Sequence, residues 1–176
     1  MRVFREARER CGLALIHYTV LSNHLHLMLE IDREASLELL MRSLATSLAR
    51  RLNVCFERRG RIFAGRYHAH TLATPSEARN ALAYVLLNHR KHAFEHGEVL
   101  PAEWIDPRST GVVFDGWDRA IDSRFASYDF GTSRPSTWLL CKGWRRHGPI
   151  ALDEIPGDEH PRRPKKKERR NQDRAR

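Results

Sequence analysis

The stretch SNHLHLMLE, Ser22 to Glu30, decides what this chain can be. Side chains alternate along a strand, so Leu25, Leu27 and Leu29 share one face while His24, His26, Met28 and Glu30 share the other. One face suits a core; the other offers two imidazoles to a divalent ion. Just upstream, LALIHYTVL (Leu13 to Leu21) is rich in β-branched and aromatic residues, and Ser22 and Asn23 form turns readily. The two runs predict a β-hairpin.

Outward from the hairpin, Leu37, Leu40, Met41, Leu44, Leu48, Leu52 and Phe56 recur at three- and four-residue steps. That is the period of a long amphipathic helix from Ala35 to about Glu57, with its arginines off the apolar stripe. Residues 1 to 11 read as a short amphipathic helix with Val3, Phe4 and Ala7 on one side, ended by Gly12. After Gly60, RIFAGRYHAHTLA alternates in part and predicts a strand over Arg66 to Ala73. TPSE is a capping box: Thr74 caps, Pro75 takes the first helical position, and Glu77 follows three residues after the cap. The helix it opens has an apolar face of Ala78, Ala81, Leu82, Val85, Leu86 and Ala93, and Gly97 is its expected stop. Residues 98 to 160 carry tryptophans in AEWIDP, FDGWD and STWLLCKGWRRHG but little periodicity. Loops and a short helix near Pro135 to Lys142, packed back onto the domain, are expected there.

A chain of 176 residues fits one domain plus a tail, with no room for a second catalytic domain. Cys11, Cys55 and Cys141 have no metal-ligand spacing and read as reduced thiols. No run approaches the roughly 20 apolar residues of a membrane span, so the expectation is a soluble cytoplasmic protein without membrane contact. The net charge of +9 is unevenly placed. Residues 161 to 176 hold nine Lys or Arg against Glu168 and Asp173, a net of +7. Residues 42 to 66 hold seven arginines against Glu57, a local +6. A basic patch and a basic tail suit a polyanion such as nucleic acid, the bland alternative being a solvated helix face with a solubilising tail.

Tyr84 and Asn88 lie four residues apart on the helix after the capping box, on one flank of its apolar face. Two imidazoles from a strand and an amide oxygen from a helix can make a three-ligand site with open positions. A tyrosine hydroxyl one turn from a ligand is then placed to attack a polarised phosphate.

In HYTVLSNHLHLMLE, GRIFAGRYHAHTL and NALAYVLLNHRKHA, in that order, the sequence resembles the single-tyrosine HUH transposases, the IS200-like group that includes those associated with repetitive extragenic palindromes. The resemblance covers residues 1 to 97, implying a catalytic domain there, a tryptophan-containing extension over 98 to 160 and a basic disordered tail over 161 to 176. It implies an α+β, ferredoxin-like sandwich with an antiparallel sheet. It puts the metal ligands on His24, His26 and Asn88 and the nucleophile on Tyr84, with Mg²⁺ or Mn²⁺ as cofactor. It also implies cleavage of single-stranded DNA beside a hairpin through a 5′-phosphotyrosine intermediate, followed by strand transfer. Arg42, Arg50, Arg51, Arg58, Arg59, Arg66 and Tyr67 are the candidate DNA contacts, and the active unit is open between monomer and homodimer.

Two departures stand out. Family members carry a strand before the first helix, in the middle of the sheet between the His-bearing strand and the strand of Tyr67 to Ala73, whereas here Met1 opens that helix. The second is NHRKH where the family often has Asn-Pro. The alternative function is therefore a catalytically silent remnant that still binds hairpin DNA; a hydrolase of a small substrate would not need the basic tail. A lone His-x-His is more often structural than metallic, and the ordered trio of motifs reverses that. His68 and His70 form a rival pair read as exposed or DNA-facing, Glu30 as a solvated charge or an aid to the ion, and Asn23 as a turn residue. Trp104, Trp117, Trp138 and Trp144 divide between core packing and base stacking.

Overall fold

The computed structural model describes residues 13–32, 36–121 and 128–157. The expected N-terminal helix, Cys11 and the basic tail lie outside the described residues. Strands β1 (Leu13–Val20) and β2 (Leu25–Ile31) form the expected antiparallel hairpin, with Leu13 opposite Ile31 and Val20 opposite Leu25. The Leu21 N–H donates to the His24 carbonyl at 2.9 Å and closes the turn. A register irregularity between Leu15 and His17 inserts one residue in β1. After this bulge Tyr18 joins Leu13 and Leu15 on one face, whereas strict alternation would have turned it away.

The hairpin buries both faces. On one, Leu13, Leu15 and Tyr18 pack with Leu40 and Leu44 of α1 (Leu37–Cys55). Helix α1 starts two residues later than the apolar period suggests, because the Ser36 hydroxyl caps it by accepting from the Leu39 N–H. Its far end overhangs the core: Val54 is 80 % and Phe56 66 % exposed.

No strand forms over Arg66 to Ala73. This corrects the expectation from its alternating pattern. Residues 64–71 are exposed, and among the described residues no neighbouring strand offers them a backbone ladder. Alternation marks a strand only where a partner is in register beside it. The sheet therefore has two strands among the described residues, in a mixed α and β fold.

Helix α2 (Pro75–Leu86) begins at the expected capping box. The Thr74 hydroxyl accepts from the Glu77 N–H at 3.2 Å, and the Glu77 carboxylate accepts from the Thr74 N–H at 3.0 Å. The helix does not continue to Gly97 as expected; it breaks at Leu87, and α3 (Asn88–Glu95) follows. The buried Thr19 hydroxyl from β1 donates to the Val85 carbonyl just before the break. A side chain inserted into a helical ladder is a sufficient cause of such a kink. Gly97, at φ 73, then ends α3 in a conformation that favours glycine.

On the other hairpin face, Ile16 and Met28 meet Ala78, Leu82, Ala83 and Leu86 of α2. Phe114, Trp117, Leu140, Trp144, Ile150 and Leu152 complete this same core, so the described residues of the C-terminal extension pack back onto the hairpin and α2 as expected. The expected short helix is α4 (Trp138–Cys141), capped by Thr137. Gly116 admits the aromatic cluster: a Cβ there would lie 2.2 Å from the Trp144 ring and 2.4 Å from the Phe114 ring. Arg79 of α2 grips the extension through both oxygens of Glu154, at 2.8 Å each, and through the Pro149 carbonyl at 3.1 Å. Arg90 of α3 likewise donates to the carbonyls of Pro101, Ala102 and Trp104. The outer edge of β1 is covered by Arg108 and Ser133, which bond to Val20 and Leu15. Among the described residues, no helix is long and apolar enough to cross a membrane.

Candidate active site

His24 ends the hairpin turn and His26 is the second residue of β2, so a short rigid element fixes both rings. Their Nε2 atoms face each other at 3.1 Å. The His24 Nδ1–H donates to the Asn23 side-chain oxygen at 2.6 Å, which leaves the lone pair of His24 on Nε2. Asn23 is thus more than a turn former: it orients the first imidazole. Burial, reinforced by His24 and His92 and by the Lys91 charge and opposed by the Asn88 amide, lowers the His26 pKa to about 4. His26 is neutral at pH 7, as a ligand must be.

Helix α2 brings the Tyr84 ring to 4.9 Å from the His26 ring, edge to face. The break at Leu87 makes Asn88 the first residue of α3 and buries it completely. Beyond its approach to His26, neither polar atom of its side chain makes a hydrogen bond of ordinary geometry. A buried amide left this way costs on the order of 1–3 kcal/mol unless something else satisfies it. The sequence-derived quartet of His24, His26, Tyr84 and Asn88 therefore comes from three separate elements into one neighbourhood. Among the described residues no three His, Cys, Asp or Glu side chains converge on a metal position. The Nε2 atoms of His24 and His26, 3.1 Å apart, and the Asn88 amide beside His26 are donors of the kind a divalent ion takes. That donor set fits a divalent ion with open positions.

Further residues enter that the motif did not single out. His92, one turn beyond Asn88, brings its ring to 5.7 Å from that of His24. Lys91 holds its ammonium 5.2 Å from the centre of the Tyr84 ring. Glu95 lies between them, 3.8 Å from Lys91 and 3.4 Å from His92. The helical offsets from Tyr84 and Asn88 were the available signal for both, but the kink at Leu87 makes offsets across it unreliable. A groove of about 800 Å³ runs beside Tyr84, bordered by His70, Leu72, Asn80, His147 and Pro156.

Other candidates take different places. Glu30 neither faces solvent freely nor reaches toward an ion. Its two carboxylate oxygens accept the backbone N–H and hydroxyl of Ser136 and of Thr137, at 2.6–2.9 Å, which holds its pKa down despite the opposing effect of burial. His68 and His70 are exposed, as expected. Trp117 and Trp144 are core, with indole N–H groups donating to the Gly111 and Leu140 carbonyls. Trp104 packs against His89, while Trp138 stays half exposed under the Arg146 guanidinium. Arg42, Arg50, Arg51, Arg58, Arg59, Arg66 and Tyr67 are all exposed, along α1 and the segment after it, and Arg42 is paired with Glu38 at 2.7 Å.

The model of the family described as Transposase IS200 like matches residues 1–86, a span that takes in His24, His26 and Tyr84. No curated protein and no solved structure shows a significant match to the chain.

Proposed function

We propose that this chain, which belongs to the IS200-like transposase family through residues 1–86, cleaves and rejoins single-stranded DNA with Tyr84 as its nucleophile. The observation that carries the reading is the approach of the Tyr84 ring to His26, whose Nε2 opposes that of His24, inside the matched segment. The Tyr84 hydroxyl oxygen attacks a backbone phosphorus and the bond to the 3′ oxygen breaks. The phenolic proton passes to solvent, the 3′ oxygen leaves as a hydroxyl, and the 5′ phosphate stays on tyrosine. The reverse attack by a different 3′-hydroxyl transfers the strand.

His24, His26 and Asn88 would hold Mg²⁺ or Mn²⁺, which polarises the attacked phosphate and offsets its charge. Asn23 keeps the His24 lone pair on Nε2, and burial keeps His26 uncharged. The exposed arginines of α1 and its sequel supply the positive surface for a DNA hairpin or its single-stranded flank.

Labelled single-stranded hairpin oligonucleotides, with manganese or with chelator, test this on a denaturing gel. A covalent adduct that needs metal and disappears in Tyr84→Phe and His24→Ala is the expected result. The sheet, two-stranded among the described residues, favours a second reading, a hairpin-binding remnant without catalysis. Tight hairpin binding with no adduct under any metal would establish it instead.

A further inference from the structure

We propose that Lys91 is a catalytic residue, whose ammonium binds a non-bridging oxygen of the phosphate that Tyr84 attacks. The inference rests on the tyrosine reading above and adds a group that reading does not use. Attack on a phosphodiester builds negative charge on the non-bridging oxygens, and a fixed cation beside them is worth most where water is partly excluded. Arg79, which borders the same groove as Tyr84, is already bound to Glu154 at 2.8 Å, so it has little to offer a phosphate.

Lys91 is placed to fill that need. Its Nζ lies 5.2 Å from the Tyr84 ring centre. Gly157 closes on it from the C-terminal extension, where an added Cβ would come 4.0 Å from Nζ. A merely structural role explains little of this. Its ion pair with Glu95 is loose at 3.8 Å and half exposed, and such helix-surface pairs contribute little. Resting over an aromatic face, the ammonium keeps a weak partner that an incoming phosphate can displace.

The test uses the full-length chain and the hairpin oligonucleotide that forms the adduct, in single-turnover reactions at saturating DNA and manganese. Lys91→Met is expected to slow adduct formation about 10²–10³-fold, and Lys91→Arg to recover most of it, with manganese affinity and hairpin affinity nearly unchanged. The second arm replaces one non-bridging oxygen at the cleaved linkage with methyl, as two separate methylphosphonate stereoisomers. In the isomer lacking the oxygen that meets Lys91, the wild-type advantage over Lys91→Met is expected to fall below about fivefold. Adduct formation by Lys91→Met within threefold of wild type, or the same loss on the phosphodiester and both isomers, overturns the proposal alone. An adduct that persists in Tyr84→Phe overturns the underlying reading, and Lys91 with it.

Discussion

The two sides of the hairpin are built by different means. On the α2 side, α2, α3 and the C-terminal extension share one core, locked by Trp144, by the buried Arg79–Glu154 pair and by the carbonyl cage around Arg90. On the α1 side, Leu40 and Leu44 anchor the helix, after which residues 54–71 run largely exposed with four arginines and the uncovered side chains of Val54 and Phe56. The packed side holds Tyr84 and Asn88, where the proposed chemistry needs placement to a fraction of an ångström. The open side carries charge, and a charge that meets a phosphate chain needs no fixed rotamer. Tight packing and exposed positive charge thus fall to separate sides of one small fold, the division that the proposed function would use.

The largest expected effect lies on the packed side. Tyr84→Phe should reduce adduct formation by about 10⁴-fold or more while leaving hairpin affinity within about twofold, measured by gel and by fluorescence anisotropy. Equal loss of binding and chemistry would erase the division. Next come stability changes read by urea unfolding. Trp144→Ala should cost about 3–5 kcal/mol and Glu154→Ala, which strands the Arg79 charge, about 3 kcal/mol. Phe56→Ser on the open side should stay within about 0.5 kcal/mol. A large loss from Phe56→Ser would mean that the open side is packed after all.

Replacing Arg50, Arg51, Arg58 and Arg59 together by Ala should leave the unfolding midpoint unchanged. It should weaken hairpin binding and lower the slope of log affinity against log salt by about 0.7–0.9 for each arginine that meets a phosphate. The smallest expected effect is a pH dependence of stability from His17, whose pKa burial lowers to about 4 against the opposing pull of Asp115. The unfolded ring, near 6.5, takes up its proton first. Stability is therefore present above about pH 6.5 and declines as pH falls toward 4. His17→Asn should flatten that part of the curve.

Much of this was legible in the residues because it depends on neighbours in sequence. The hairpin follows from alternation and its turn, the start of α2 from Thr74, Pro75 and Glu77, and the shared face of His26, Met28 and Glu30 from the period of two. What misled was everything that needs a partner from far along the chain. RYHAHTLA alternates like a strand, yet forms none where nothing pairs with it. NALAYVLLNHRKHA has the period of one helix, yet breaks where Thr19 reaches Val85. Glu30 looked like a solvated charge until Ser136 and Thr137, more than a hundred residues on, supplied its donors.

From neighbours in sequence come the local elements, the match of residues 1–86 to the IS200-like transposase family and the identities of the four residues on which the proposed chemistry rests. The tertiary structure decided their mutual arrangement. It buried Asn88 with its amide beside His26, gave Asn23 the task of orienting His24, and brought Lys91 over Tyr84. The physical reason is one of range. Side-chain periodicity and capping act over three or four residues, whereas burial, hydrogen-bond partners and cation placement arise only when separate segments exclude water from the same volume.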